Sequence, residues 1–178
     1  MINLSKQRWL IVSVIHYITL FFIAQANHYL TPLGLNILAV GMLVSFSAME
    51  LNFKQGLLSL VPIALYLDSK SPLPFGFSLA LLFLLFTLAY VIRSRVRREI
   101  TASTLASSIM LNLAAFLAYT LAAAWHFGSE GLSFGVLALN LSLSAVVVAL
   151  ANNLFFQAQI DTLAFFGINL AEEQRATR

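Results

Sequence analysis

No cysteine occurs anywhere in the 178-residue chain, which excludes a disulfide framework, a thiolate nucleophile and a thiolate metal site. Charge is scarce too. Only 10% of the residues are charged, against about 25% in an ordinary soluble domain. So few charges cannot coat a globule in water, but they suffice for the loops of a membrane protein. The usual catalytic signatures are missing: there is no HExxH, no GxSxG, no glycine-rich phosphate loop and no run of acids beside an apolar stretch. An enzyme working on lipid phosphates would need several carboxylates or histidines near one interface, so neither catalysis nor a cofactor or metal is expected. Linkers, tandem repeats and low-complexity tails are absent as well, and residues 1–178 read as one integral domain.

What the chain has in quantity is apolar length. Hydrophobic residues make up 60% of it, and the mean hydropathy is +0.89. A hydrocarbon core of about 30 Å needs about 20 apolar residues in helix. Six segments approach that: 9–26, 33–51, 55–67, 75–92, 104–125 and 133–155. The third is short and contains Pro62. The expected fold is an all-α integral membrane protein, a compact bundle of six transmembrane helices.

Charge placement orients it. With the N-terminus in the cytoplasm and six crossings, Lys6, Arg8, Lys54, Arg93, Arg95, Arg97, Arg98, Arg175 and Arg178 face inward, and only Lys70 faces outward. Short loops follow this positive-inside bias, and it places both termini in the cytoplasm. It also accounts for the net charge of +3 and the pI near 9.5, so no nucleic-acid partner is implied. Trp9 and Tyr90 fall at the inner interface, and Tyr29, Tyr66 and Trp125 at the outer one, where amphipathic rings prefer to sit. The basic start, the apolar run and "AQA" at residues 24–26 mimic a secretory signal with its cleavage site. The segment is long enough to remain as the first helix, and that is the expectation.

Charged groups inside a bilayer are expensive and usually functional, and this chain has almost none. Glu50 precedes Lys54 by four residues and is expected to pair with it at a helix end. His16 is expected as a neutral, hydrogen-bonded packing histidine. His28 and His126 fall in outer loops without a carboxylate, which makes a poor metal site. Asp161 lies past the sixth span. Small and amide residues recur at helical spacing, with Ala114, Ala118 and Ala122 in span five and Ala145, Ala149 and Asn153 in span six. Each set lines one face and permits close backbone approach, either within this bundle or against another membrane protein. Beyond span six, Phe155, Phe156, Ile160, Leu163 and Phe166 recur at roughly helical spacing, so 156–178 is expected to begin as a continued or interfacial amphipathic helix on the cytoplasmic side. The cluster Arg93, Arg95, Arg97 and Arg98 serves topology and can attract anionic lipid.

The stretch between spans three and four carries a family likeness. Gly56 stands in "KQGLLSL", Asp68 in "ALYLDSKSPLPFGF" with Pro72 and Pro74, then Gly76 opens an apolar span that ends in the basic loop "RSRVRRE". In this order the chain resembles the family of the rod-shape-determining protein MreD, as it does in length and span number; Ala64 stands where that family often has glycine. The resemblance implies a non-catalytic subunit of the bacterial cell-elongation machinery in the cytoplasmic membrane. Its implied partners are a single-span MreC-like protein, the MreB filaments, RodA and a class B penicillin-binding transpeptidase. Asp68 is then expected to tie the outer turn, because Asp and Ser side chains before prolines bond the nearby backbone. An alternative of another class is the substrate-binding S-component of an energy-coupling-factor vitamin transporter, also a six-helix chain. Its pocket would draw on Asn36, Tyr119, Trp125 and Asn140.

Overall fold

The computed structural model describes residues 7–93, 101–128 and 133–168, with Thr101 and Ala102 described by backbone alone. These residues form six α-helices: α1 Arg8–Leu30, α2 Val40–Glu50, α3 Phe53–Lys70, α4 Phe77–Ile92, α5 Thr101–Phe127 and α6 Phe134–Phe165. A 3-10 turn, Thr31–Leu33, follows α1. Three stretches are long and apolar enough to cross a membrane: Arg8–Leu33, Ser103–Phe127 and Phe134–Phe165. Helices α2 and α4 are apolar but shorter. Lys6, Arg95, Arg97, Arg98, Arg175, Arg178 and the segment 169–178 lie outside the described residues.

The bundle is organised around α2. Every residue from Val40 to Met49 is buried, as expected of a helix that is apolar on all sides. Helix α5 touches it backbone to backbone at Gly41, where any Cβ would fall on Ser108 O and Asn112 N. On another side, the Phe46 ring packs against Phe155 and Phe156 of α6 at 6.1 and 5.2 Å. Towards α3, Ser47 Oγ lies 2.9 Å from Ser59 Oγ, and Ser13 of α1 donates to Ser59 O at 3.1 Å. Small residues at these crossings let the helices approach closely; the hydroxyls of Ser13, Ser47 and Ser59 are hydrogen-bonded, whereas Ser108 Oγ, at the α5 contact, has no partner among the described residues.

The second expected span differs from the sequence reading in a specific way. Residues 33–51 are helical only from Val40, and α2 has 11 residues. At 1.5 Å per residue it is about 16 Å long, roughly half of a hydrocarbon core. The cause is local. Pro32 sits in the 3-10 turn, Gly34 adopts the left-handed region at φ 74°, and 35–39 then run without helical structure. Helix α1, in contrast, passes through Ala24–Gln25–Ala26 without a break. Helix α6 continues without a break to Phe165, so residues 156–165 prolong the sixth segment, with Phe156, Gln159 and Leu163 on its buried side.

Candidate functional site

A non-helical stretch leading into a buried apolar helix raises an immediate problem. Its N–H and C=O groups have no partners within the segment, and hydrocarbon offers none. Here three other helices supply them. Asn27 of α1 binds both backbone groups of Ile37, donating from Nδ2 to the carbonyl at 2.8 Å and accepting at Oδ1 from the N–H at 2.7 Å. Asn140 of α6 accepts from the N–H of Asn36 at 3.0 Å and donates to Gly34 O at 3.3 Å. Four residues further along α6, Ser144 Oγ accepts from the N–H of Leu38 at 3.0 Å.

Asn112 of α5 completes the clamp. Its Nδ2 donates to Leu38 O at 2.7 Å, and its Oδ1 accepts from the N–H of Gly41 at 3.1 Å. Ala39, the residue before α2, has no side chain that could cap the helix. Asn112 therefore does from a neighbouring helix what an N-cap asparagine ordinarily does from its own. In all, four side chains hold seven backbone groups between residues 34 and 41. Pro32 and Gly34 start the break locally, and the backbone groups it leaves open are paired by side chains of α1, α5 and α6.

The far end of α2 is closed by Arg93. Its guanidinium donates from Nη1 to Ala48 O at 3.0 Å and Leu51 O at 2.8 Å, and it lies 4.4 Å over the Tyr90 ring. A cation at a helix C-terminus also complements the dipole there. Of the four arginines of the basic cluster, Arg93 therefore has a partner inside the protein. Glu50 and Lys54 fall on either side of the break between α2 and α3, on different helices.

The family-like residues lie at the two ends of the hairpin of α3 and α4, Gly56 at one and Asp68 with Gly76 at the other. Gly56 packs against the edge of the Phe86 ring, and a Cβ there would stand 2.8 Å from Ser47 O. Asp68 ties the turn between α3 and α4: its Oδ2 accepts from the N–H of Gly76 at 2.9 Å and its Oδ1 from the N–H of Ser78 at 2.7 Å. Gly76 takes φ 97°, a left-handed conformation that favours glycine, and this turns the chain so that both N–H groups point back to Asp68. Tyr119 Oη of α5 donates to Ser78 Oγ at 2.7 Å, so the end of α3 and the start of α4 are tied to α5. Asp68 lies past the apolar run 55–67. Burial pushes its carboxyl up, but hydrogen bonds from Ser78, Gly76 and Leu79 outweigh that and hold it below the usual carboxylate range. Pro72, Pro74 and Phe75 remain exposed at the tip of the turn, while Leu73 is buried beneath them.

The small-residue series falls differently. Ala114, Ala149 and Asn153 are exposed, and Ala118, Ala122 and Ala145 are half-buried. The buried face of α5 is marked by Thr104, Ser108, Asn112 and Ala115, and that of α6 by Asn140, Ser144, Val148 and Asn152. Polar side chains are driven to the face that offers partners. Alanine has no comparable preference, so its spacing alone does not select the inner face. His16 is buried, and neither ring nitrogen has a hydrogen-bond partner among the described residues. His28 and His126 are exposed, each edge-on to the aromatic residue that follows it. Asp161 is exposed on α6. Among the described residues no three or more His, Asp or Glu side chains are grouped to hold a metal ion. No protein-family model, no curated protein and no solved structure matches the chain.

Proposed function

We propose that this chain is a non-catalytic, multi-pass subunit of the bacterial cytoplasmic membrane, MreD-like, that positions partner proteins through helix–helix and loop contacts. In this reading it crosses the membrane six times with both termini inside, α2 crossing together with its non-helical lead. It serves the cell-elongation and peptidoglycan-synthesis machinery beside an MreC-like single-span protein. MreB lies on the cytoplasmic side, and RodA with a class B transpeptidase on the other. The observation that carries the reading is the joint use of Gly56, Asp68 and Gly76. All three serve one rigid hairpin, whose tip presents Pro72, Pro74 and Phe75 outward. A scaffold needs such a fixed, exposed tip.

The transporter alternative asks Asn36, Tyr119 and Asn140 to bind a vitamin. Each of them already has a hydrogen bond within the chain, and Trp125 is exposed, which favours the scaffold. Affinity isolation from native membranes followed by mass spectrometry distinguishes the two. Recovery of a single-span coiled-coil protein supports the scaffold, and the same result should be lost when Pro72 and Phe75 are replaced by serine. Recovery of an ATPase-coupled membrane module instead would refute it in favour of the transporter.

A further inference from the structure

The clamp uses only the outer half of α6's buried face. Beyond Ser144 the same face continues through Val148 to Asn152, Phe155 and Gln159. Asn152 is 1% exposed and Gln159 is 0% exposed. Yet Asn152 Oδ1 and both polar atoms of Gln159 have no hydrogen-bond partner among the described residues. Facing them from α1 is His16, 0% exposed, its ring stacked on Phe155 at 5.7 Å and edge-on to Phe46 at 6.3 Å. Neither imidazole nitrogen is partnered. Asn152 and Gln159 flank Phe155 at three and four residues along the helix, so they sit about 4–6 Å above and below it along the axis. His16 stacks on Phe155, the residue they flank.

Five unpaired polar atoms on two facing helices are more than a dry core retains, because each one left without a partner destabilises the fold. Their chemistry defines what would satisfy them. A neutral imidazole offers one donor and one acceptor, the Gln159 amide offers both, and Asn152 Oδ1 accepts. The complement must be small, uncharged, and able to donate and accept at once. A metal ion would find a single imidazole and no carboxylate or thiolate among these three residues, too poor a donor set to hold it. We propose that α1 and α6 enclose an internal hydration site in which bound water hydrogen-bonds His16, Asn152 and Gln159. Buried water commonly makes about three such bonds to otherwise unsatisfied groups. This site stands on the packing of α1 against α6 and is independent of the proposed cellular role.

Two measurements test it. The first is a double-mutant cycle of His16→Phe and Gln159→Leu, read as unfolding midpoints of the purified chain in detergent–lipid micelles. A shared water predicts that each single variant lowers the midpoint and that the double variant loses clearly less than the sum of the two. A dry site predicts that His16→Phe raises the midpoint, since an aromatic ring of like size replaces an unpaired polar one, and that the two effects add. That result would overturn the proposal. The second uses the wild-type protein and so does not depend on any variant folding. Nitrogen NMR of the imidazoles, with His28 and His126 assigned by their glutamine variants, reports whether both His16 ring nitrogens are hydrogen-bonded. Shifts of a hydrogen-bonded ring support the site, and shifts of a free imidazole refute it.

Discussion

Replacing Asn112 by leucine keeps the side-chain volume and removes the amide. It strands two buried backbone groups, Leu38 C=O and Gly41 N–H. One buried polar group left unpaired costs about 1–3 kcal/mol, so two cost about 2–6 kcal/mol. Interhelical side-chain bonds in membrane proteins average only about 0.6 kcal/mol, because a chain unfolded within the membrane finds other partners, and two of them would set a floor of about 1 kcal/mol. The larger figure governs here. Leu38 and Gly41 belong to a stretch whose neighbouring groups are held by Asn27, Asn140 and Ser144, so neither can swing to a new partner without displacing α2. The expected loss is about 2–4 kcal/mol, the lower part of the unpaired-group range. Equilibrium unfolding in mixed micelles titrated with sodium dodecyl sulfate, followed by circular dichroism, measures it. Asn153→Leu is the control, because Asn153 is exposed on α6 and should stay within about 0.5 kcal/mol of wild type. The chain has no cysteine, so an Ile37→Cys reporter labels at a single place. It should label faster when Asn112→Leu is added. If Asn112→Leu unfolds like the control and leaves labelling unchanged, the clamp does not hold the break.

Asp68→Ala removes both acceptors at the start of α4 and should cost about 0.5–2 kcal/mol, the usual loss for a helix cap, read in the same unfolding assay. Because the folded carboxyl is held below its ordinary value, the stability it contributes is present above the unfolded pKa and is lost as pH falls through the folded one; wild type should therefore lose more stability on acidification than Asp68→Asn. Gly41→Ala should abolish or sharply reduce folded yield, since the added methyl meets backbone of α5, whereas Gly135→Ala meets nothing closer than 3.8 Å and should express normally. Arg93→Met frees the carbonyls of Ala48 and Leu51 and should cost about 1 kcal/mol, below the usual range for a charged hydrogen bond because Arg93 is only half-buried and solvent screens it; its unfolding midpoint is the readout.

The scarcity of charge and the apolar runs were enough to read an all-helical membrane chain, and α4 begins and ends close to the expected 75–92. The break before α2 was not legible, because "LGLNILAV" is as apolar as any span and its partners lie elsewhere. Hydropathy measures transfer of side chains and is blind to who satisfies the backbone. The available signal was the set of amides inside apolar runs. An asparagine in lipid needs a partner, and Asn112 sits in mid-span. Asn140 entered the sequence reading only as a pocket candidate, and neither Asn27 nor Asn112 entered it. Asp68 was legible because its chemistry is local: the turn it ties begins within a few residues of it. The alanine series misplaced the inner faces because alanine carries no polar group whose demand could choose between lipid and protein. His16 was read as hydrogen-bonded from residue type alone, and the rings of Phe46 and Phe155 that surround it come from α2 and α6.

The clamp also sets an order of events during synthesis. The residues it holds, near position 37, leave the ribosome early, but Asn112 follows Leu38 by 74 positions and Ser144 follows it by 106. Until α5 and α6 have been made and inserted, the peptide groups of 35–39 have only Asn27 and the Leu30 carbonyl to turn to. The nascent segment must meanwhile either coil into a full-length helix or stay in contact with water or the insertion machinery, since bare backbone is not tolerated in lipid. Its native shape is therefore acquired after translation of the C-terminal third, and a nascent chain arrested before Asn140 should carry a different second helix from the finished protein.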